Sequence, residues 1–202
     1  STTIGIVLIL GITLVGTGLV VGYGSQALTD TERVTTLSQV EHSLTQFDSK
    51  VAIVALGESP VQRITLGDSR GGTYSADGDA GWIRVVHRNA TGAGNDTELY
   101  NASLGAVRYD NGDTSVAYQG GGVWRRSGNG STMLSQPEFN YRGSTLTLPV
   151  IRVTNNASAA GQTEALVTRS ETSQQVYPNT SKSYDNGRSY ANPVVEGSVA
   201  VT

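Results

Sequence analysis

Twenty-nine consecutive residues, Ser1 through Thr29, contain no Asp, Glu, Lys, Arg or His. The first charge is Asp30, so all 14 basic and 17 acidic side chains lie downstream. Within that stretch Ile4 to Tyr23 reads IGIVLILGITLVGTGLVVGY. Twenty apolar or small residues in an α-helix rise about 30 Å, the hydrocarbon thickness of a bilayer. A core helix of a soluble protein is rarely uncharged for so long. A cleavable signal peptide would carry a basic leader and an A-x-A site, and neither is present. Because the chain starts at Ser1, the expectation is a processed product whose basic leader has been removed, leaving the apolar segment as the new N-terminus.

Glycine recurs through this stretch at positions 5, 11, 16, 18, 22 and 24. Each glycine weakens a helix by about 1 kcal/mol relative to alanine. Gly18 and Gly22 form a GxxxG pair, which lets two helices approach closely. The spacing points to packing against copies of the same segment as well as to residence in lipid.

Beyond Gly24 the pattern turns amphipathic. Leu37, Val40, Leu44, Phe47, Val51 and Val54 follow the three-four spacing of a half-buried helix. Gly57 suits a C-cap, and Pro60 bars further helix. The expectation is one nearly continuous helix from about Thr2 to Leu56, with its second half clasped along one face by the downstream domain. Two helices broken at Gly22 to Gly24 are the alternative.

From Gln62 onward short β-branched or aromatic runs alternate with turn signals. Expected strands are 62–66, 82–87, 98–100, 105–109, 115–118 and 122–126, then 138–141, 145–154, 164–170, 174–177 and 198–202. Asn111-Gly112 between two such runs predicts a hairpin with positive φ at both turn residues. Residues 198–202 read as an edge strand, or as a strand interrupted by a cut. The fold class expected is therefore α+β. Residues 1–57 form a long helix (1–24 membrane or filament core, 25–57 amphipathic), and residues 58–202 an antiparallel, sandwich-like, β-rich outer domain.

Composition limits the chemistry. Cysteine is absent, which excludes a disulfide scaffold and thiolate metal sites. No basic stretch marks a nucleic-acid partner. Serine and threonine total 44 residues, and arginine outnumbers lysine 12 to 2. Polarity thus comes from hydroxyls and amides, which suits an extracellular surface. The sequon N-x-[ST] begins at Asn89, Asn95, Asn101, Asn129, Asn156 and Asn179. With 11 asparagines, chance predicts about 2.4, and the excess predicts N-linked glycans.

Other motifs read as structure. Asp77-Gly78-Asp79 begins like a calcium loop, but Trp82 and Arg88 hold the positions of the required glycine and glutamate, so a solvated turn is expected. Gly67-Asp68-Ser69-Arg70-Gly71 has the letters of a nucleophile elbow, yet Gly72 to Gly78 reads as a further turn and not as a helix, so a hairpin loop is expected. Gly71-Gly72 and Gly120-Gly121-Gly122 read as hairpin connections. His42 and His87 have no metal-site spacing. No enzyme activity, metal or cofactor is expected.

Ser1–Gly24, the amphipathic continuation and the β domain together resemble a mature archaeal type IV pilin. STTIGIVLILGITLVGTGLVVGYG, GAVRYDNGD, YQGGGVWRR and PEFNYRGSTLTLPVIRV are similar to an uncharacterised pilin-like family of halophilic archaea. Gly5 stands where bacterial type IV pilins carry a glutamate, as is common in archaeal pilins. The resemblance implies a structural subunit of an extracellular type IV pilus-like filament, held in the membrane before assembly. Its outer domain would serve surface adhesion or protection. The implied partners are identical copies in a helical homo-oligomer, plus an assembly ATPase and membrane platform. The assembly helix would use Ile4, Ile6, Leu8, Ile9, Ile12, Leu14 and Val15. It would continue through Gly18, Leu19, Gly22, Val34, Leu37, Leu44 and Phe47. A single-pass membrane-anchored surface glycoprotein and a minor, tip-located pilin are the alternatives.

Overall fold

The computed structural model describes residues 2–68, 71–87, 97–142, 145–173 and 196–201. The chain is α+β: one helix, α1 (Thr2–Ala55), is followed by β-strands. The helix is unbroken at Gly22 to Gly24, so the two-helix alternative falls away. The chain divides into two compact units, Ser1–Gln39 and Val40–Thr202. The division lies within α1, whereas residue 57 marks only the end of the helix.

That end is a Schellman motif. Gly57 adopts φ 87°. Its N–H donates to Val54 O at 3.2 Å, and Glu58 N–H donates to Ile53 O at 3.0 Å. Left-handed backbone at this position favours glycine, so the sequence placed the stop correctly.

In the second unit the helical segment from Val40 to Ala55 supplies one side of the core. Val40, Leu44, Phe47, Val51 and Val54 are all within 1% of full burial. Their spacing of four, three, four and three keeps them on one stripe. Polar groups beside the stripe tie the segment to strands. Arg125 Nη1 donates to Glu41 Oε1 at 2.9 Å, Ser135 Oγ to Asp48 Oδ2 at 2.5 Å, and Lys50 Nζ to Gln62 Oε1 at 3.1 Å.

Among the described residues the strands form two main sheets. The larger runs β12 (Ala157–Ala159), β2 (Thr73–Asp77), β5 (Ala106–Asn111), β6 (Thr114–Gln119), β7 (Gly122–Ser127) and β8 (Gly130–Ser135). The other runs β1 (Val61–Asp68), β13 (Gln162–Ser173), β14 (Glu196–Val201) and β11 (Arg152–Val153). Two short pairs complete the set: β3 (Trp82–His87) with β4 (Thr97–Ser103), and β9 (Asn140–Arg142) with β10 (Thr145–Thr147). Tyr74 on β2 donates its hydroxyl to Leu66 O on β1 at 2.6 Å, which links the two main sheets. The Tyr74 and Tyr109 rings lie 5.1 Å apart, and Phe47 meets Tyr118 edge-on at 5.2 Å.

Several expectations change. The sheets are antiparallel except that β14 pairs β11 in parallel. β14 lies between β13 and β11, so its strand is interior rather than an edge. The run 145–154 is not one strand. Pro149, which lacks a ladder donor, separates β10 from β11. Residues 73–77, read as a turn, form β2, with Tyr74 and Ala76 buried. The link from β1 to β2 joins the two main sheets instead of closing a hairpin. The expected hairpin at Asn111-Gly112 exists, but Asn111 pairs with Thr114. The loop is thus Gly112-Asp113, with positive φ at Gly112 alone, which is the II′ arrangement rather than I′. Strands β8 and β12 were not legible in the sequence, and residues 174–177 lie outside the described residues.

Tyr118 is the polar exception in the core. Its hydroxyl is fully buried, with the Gly121 backbone beside it but no hydrogen bond of good geometry among the described residues. Burial, with the Asp48 and Glu138 charges behind it, pushes its pKa well above 10.0 and keeps it neutral. Asp48 is itself pushed up from 3.8, first by burial, against the Ser135 hydrogen bond, and then by Glu138.

Two outcomes follow for the full chain unfolded in detergent. Phe47→Ala empties a buried ring site and should cost about 3–5 kcal/mol, while Tyr118→Phe should change stability by less than about 1 kcal/mol, because only a poorly aligned approach to the Gly121 backbone is lost. For Asp48 the folded pKa is raised, so its contribution is greatest below pH 3.8 and is lost as pH rises through the folded value. Asp48→Asn, whose amide oxygen still accepts from Ser135, should match or exceed the parent at neutral pH. The difference should shrink toward pH 3.8 in denaturation curves.

Candidate functional site

The first unit is the surface with the least ordinary chemistry. From Ile4 to Val34 the helix is exposed on every side, and Ile4, Leu8, Ile12, Leu14, Val15, Leu19 and Val34 all present more than half of their area. Among the described residues α1 is the one helix long and apolar enough to cross a membrane.

Its hydroxyls do not spoil that character. Thr17 Oγ1 donates to Thr13 O at 2.7 Å, Ser25 Oγ to Gly22 O at 2.9 Å and Thr29 Oγ1 to Ser25 O at 3.0 Å, while Thr13 donates to Ile9 O. Each of these four hydroxyls is spent on a carbonyl one turn back, so none of the four presents an unsatisfied donor to a surrounding apolar phase.

Among the described residues nothing packs against these glycines. A methyl group built at Gly5, Gly11, Gly16, Gly18, Gly22 or Gly24 meets no atom within 4 Å beyond the local helix backbone. All lie within α1, and a helical backbone suits alanine better. Gly11, Gly18, Gly22, Ser25 and Thr29 recur at intervals of seven, four, three and four, which sets them along one stripe.

The expected assembly residues divide in the structure. Ile4 through Gly22 and Val34 are exposed, and Leu37 is half-buried. Leu44 and Phe47 are sealed inside the second unit at 0% exposure. They hold that unit's core, because the amphipathic stripe from Val40 to Val54 is buried within the chain's own second unit.

Of the expected glycosylation sites, Asn101 on β4, Asn129 in the β7–β8 turn and Asn156 before β12 are exposed. Asn156 Oδ1 accepts from Gly78 N at 2.8 Å, which orients its amide. Asn89, Asn95 and Asn179 lie outside the described residues.

Asp77-Gly78-Asp79 forms the expected turn, whereas Gly67–Gly71 lies on the link between the two main sheets and not in a hairpin loop. Asp77 Oδ1 accepts from Asp79 N at 2.9 Å, closing a turn on itself. After Gly67–Gly71 the next element is the strand β2, and the motif's Ser69 lies outside the described residues. His42 is exposed on α1, with Gln46 Nε2 at 2.8 Å from its Nε2. Among the described residues no cluster of three His, Cys, Asp or Glu could hold a metal. Sequence reasoning missed an apolar hollow in the second unit and the exposed aromatics near it, because no periodic signal distinguishes a surface ring from a buried one.

Fold and surface define a class: α+β chains in which an apolar helix capable of crossing a membrane leads into a two-sheet β unit. Within that class this chain belongs to a family of unknown function, DUF7289, which matches residues 1–189. No curated protein and no solved structure shows a significant match.

Alanine at Gly18 and Gly22 tests the open space around the helix. In micelles of the full chain, Gly18→Ala with Gly22→Ala should raise helix stability by about 1 kcal/mol per site, read by circular dichroism. A loss of helicity would mean that these glycines have a contact within the chain.

Proposed function

We propose that this chain is a structural subunit of an extracellular type IV pilus-like filament that polymerises through its N-terminal helix. The observation that carries the reading is the pairing of two facts about Ile4–Tyr23: it is apolar and exposed all round, and its glycines have no role inside the chain. Membrane residence accounts for the first fact alone. Close packing of like helices accounts for both, because glycine removes the side chain that would hold two backbones apart.

The mechanism follows from solvent exchange. Apolar surface left in water costs about 25 cal/mol per Å², so the segment stays out of water at every stage. In the bilayer, lipid covers it before assembly. In the filament, neighbouring helices replace lipid. Many dispersed van der Waals contacts suffice, and no strong specific pair is needed. The contact is heterologous, joining different faces of successive copies, so it propagates as an open helix instead of closing into a ring. The assembly surface on this reading is Ile4 through Gly22 with Val34, and the partners are copies of the chain and a membrane-bound assembly machinery. The β unit forms the outer layer. Its exposed Asn101, Asn129 and Asn156 carry glycans and serve adhesion or protection.

Shearing cells that express the chain and imaging the released material is the direct test. Filaments containing the chain support the subunit reading. Recovery solely as membrane-bound monomer would overturn it in favour of an anchored surface glycoprotein, and recovery solely at filament tips would mark a minor pilin. Gly18→Leu with Gly22→Leu should reduce filament yield roughly tenfold while membrane insertion is retained, since leucine suits lipid but not close helix approach.

A further inference from the structure

The chain contains one methionine and no cysteine, so Met133 carries its sole sulfur. Sulfur is the atom that two-electron oxidants attack first in a protein, because its polarisable lone pair accepts an oxygen atom directly. The position of Met133 therefore decides where such chemistry begins on this molecule.

Met133 lies on β8, the end strand of the larger sheet, and is 50% exposed. Its register partner on β7 is Trp124, which is 36% exposed and so within reach of the same oxidants. Opposite residues of an antiparallel pair share a face, with Cβ atoms about 4.5–5.5 Å apart. That spacing puts the sulfur within reach of the indole edge, where sulfur–aromatic contacts form at about 5 Å. On its other side Trp124 faces Ala117 of β6, which is too small to cover a ring. Met133 is thus the large side chain opposite the indole, and among the described residues no strand lies beyond it.

Oxidation would have different consequences at the two positions. Trp124 helps to wall an apolar hollow of about 190 Å³ with Ile83, Leu104 and Phe139. Oxygen added to its ring would bring a polar group to that apolar wall, where partners are scarce. Met133 is half-exposed on an uncharged strand, so water can bond to a sulfoxide oxygen there. The fold tolerates oxidation at the sulfur better than at the indole.

We propose that Met133 is an oxidation site that takes oxygen from peroxides and hypohalous acids ahead of Trp124 and so shields the indole. The sulfur lone pair attacks the electrophilic oxygen of the oxidant, and the O–O or O–halogen bond breaks. Sulfur loses two electrons and becomes the sulfoxide. Hydrogen peroxide is reduced to water, and hypochlorous acid to chloride with release of its proton. The inference goes beyond the filament reading and does not depend on it.

The chain carries its own reference ring. Trp82 on β3 is 68% exposed and stands opposite Ser103 instead of a sulfur. When the full chain in micelles is treated with limiting hypochlorous acid, peptide mass mapping should find sulfoxide at Met133 and an unmodified Trp124. In Met133→Leu, which keeps the bulk of the side chain, oxidation of Trp124 should rise several-fold relative to Trp82. That ratio separates local shielding from general consumption of oxidant, and an unchanged ratio would overturn the shield. With hydrogen peroxide the parent chain should gain one oxygen, at Met133, at a rate close to that of free methionine, and keep its circular dichroism melting curve. A rate far below that of free methionine, or loss of the β signal on oxidation, would overturn Met133 as a tolerated oxidation site.

Discussion

The β unit depends on one stripe of helix. Val40, Leu44, Phe47, Val51 and Val54 bury completely, and Phe47 sets its ring edge against Tyr118 at the heart of the larger sheet. Full burial of each such side chain is worth about 1.5–3 kcal/mol, so this stripe supplies a large part of what stabilises the unit. It also fills one side of a core that the strands cannot close alone. The polar ties from Glu41, Asp48 and Lys50 fix the rotation of the segment about its axis more than they add stability. Exposed and half-exposed pairs of this kind contribute about 1 kcal/mol or less.

Upstream the same helix obeys a different rule. No side chain from Ile4 to Tyr23 is buried, the Thr13 and Thr17 hydroxyls bond to the helix's own carbonyls, and among the described residues no neighbour requires a glycine. Such a segment is complete as a secondary structure and incomplete as a tertiary one. Among the described residues nothing covers it, and lipid or other helices are the apolar phases that suit it. The proposed filament gives both coverings in turn, and it explains why the glycines are placed where alanine would make a better isolated helix.

The β unit shows the same economy on its surface. Most exposed apolar side chains there lie singly, as on any protein. Tyr141 and Leu146, paired across one short hairpin, and the ring-lined hollow near Trp124 are the exceptions.

Much was readable before any coordinates. The zero-charge run to Thr29, the three-four stripe to Val54 and the Gly57 stop are local signals, and the helix from Thr2 to Ala55 follows them closely. Strand periodicity located the β region and most of its strands for the same reason. What the sequence left open was non-local. Residues 73–77 look like a turn until Tyr74 and Ala76 find cover. The parallel pairing of β14 with β11 joins residues over forty positions apart, and no local pattern encodes it. Leu44 and Phe47 share the spacing of an assembly stripe, yet tertiary packing assigns them to the subunit's own core. Sequence alone determined which segments become helix or strand and which stretch must avoid water. Only the tertiary structure decided which apolar faces are already covered, because burial depends on what the rest of the chain brings to each face.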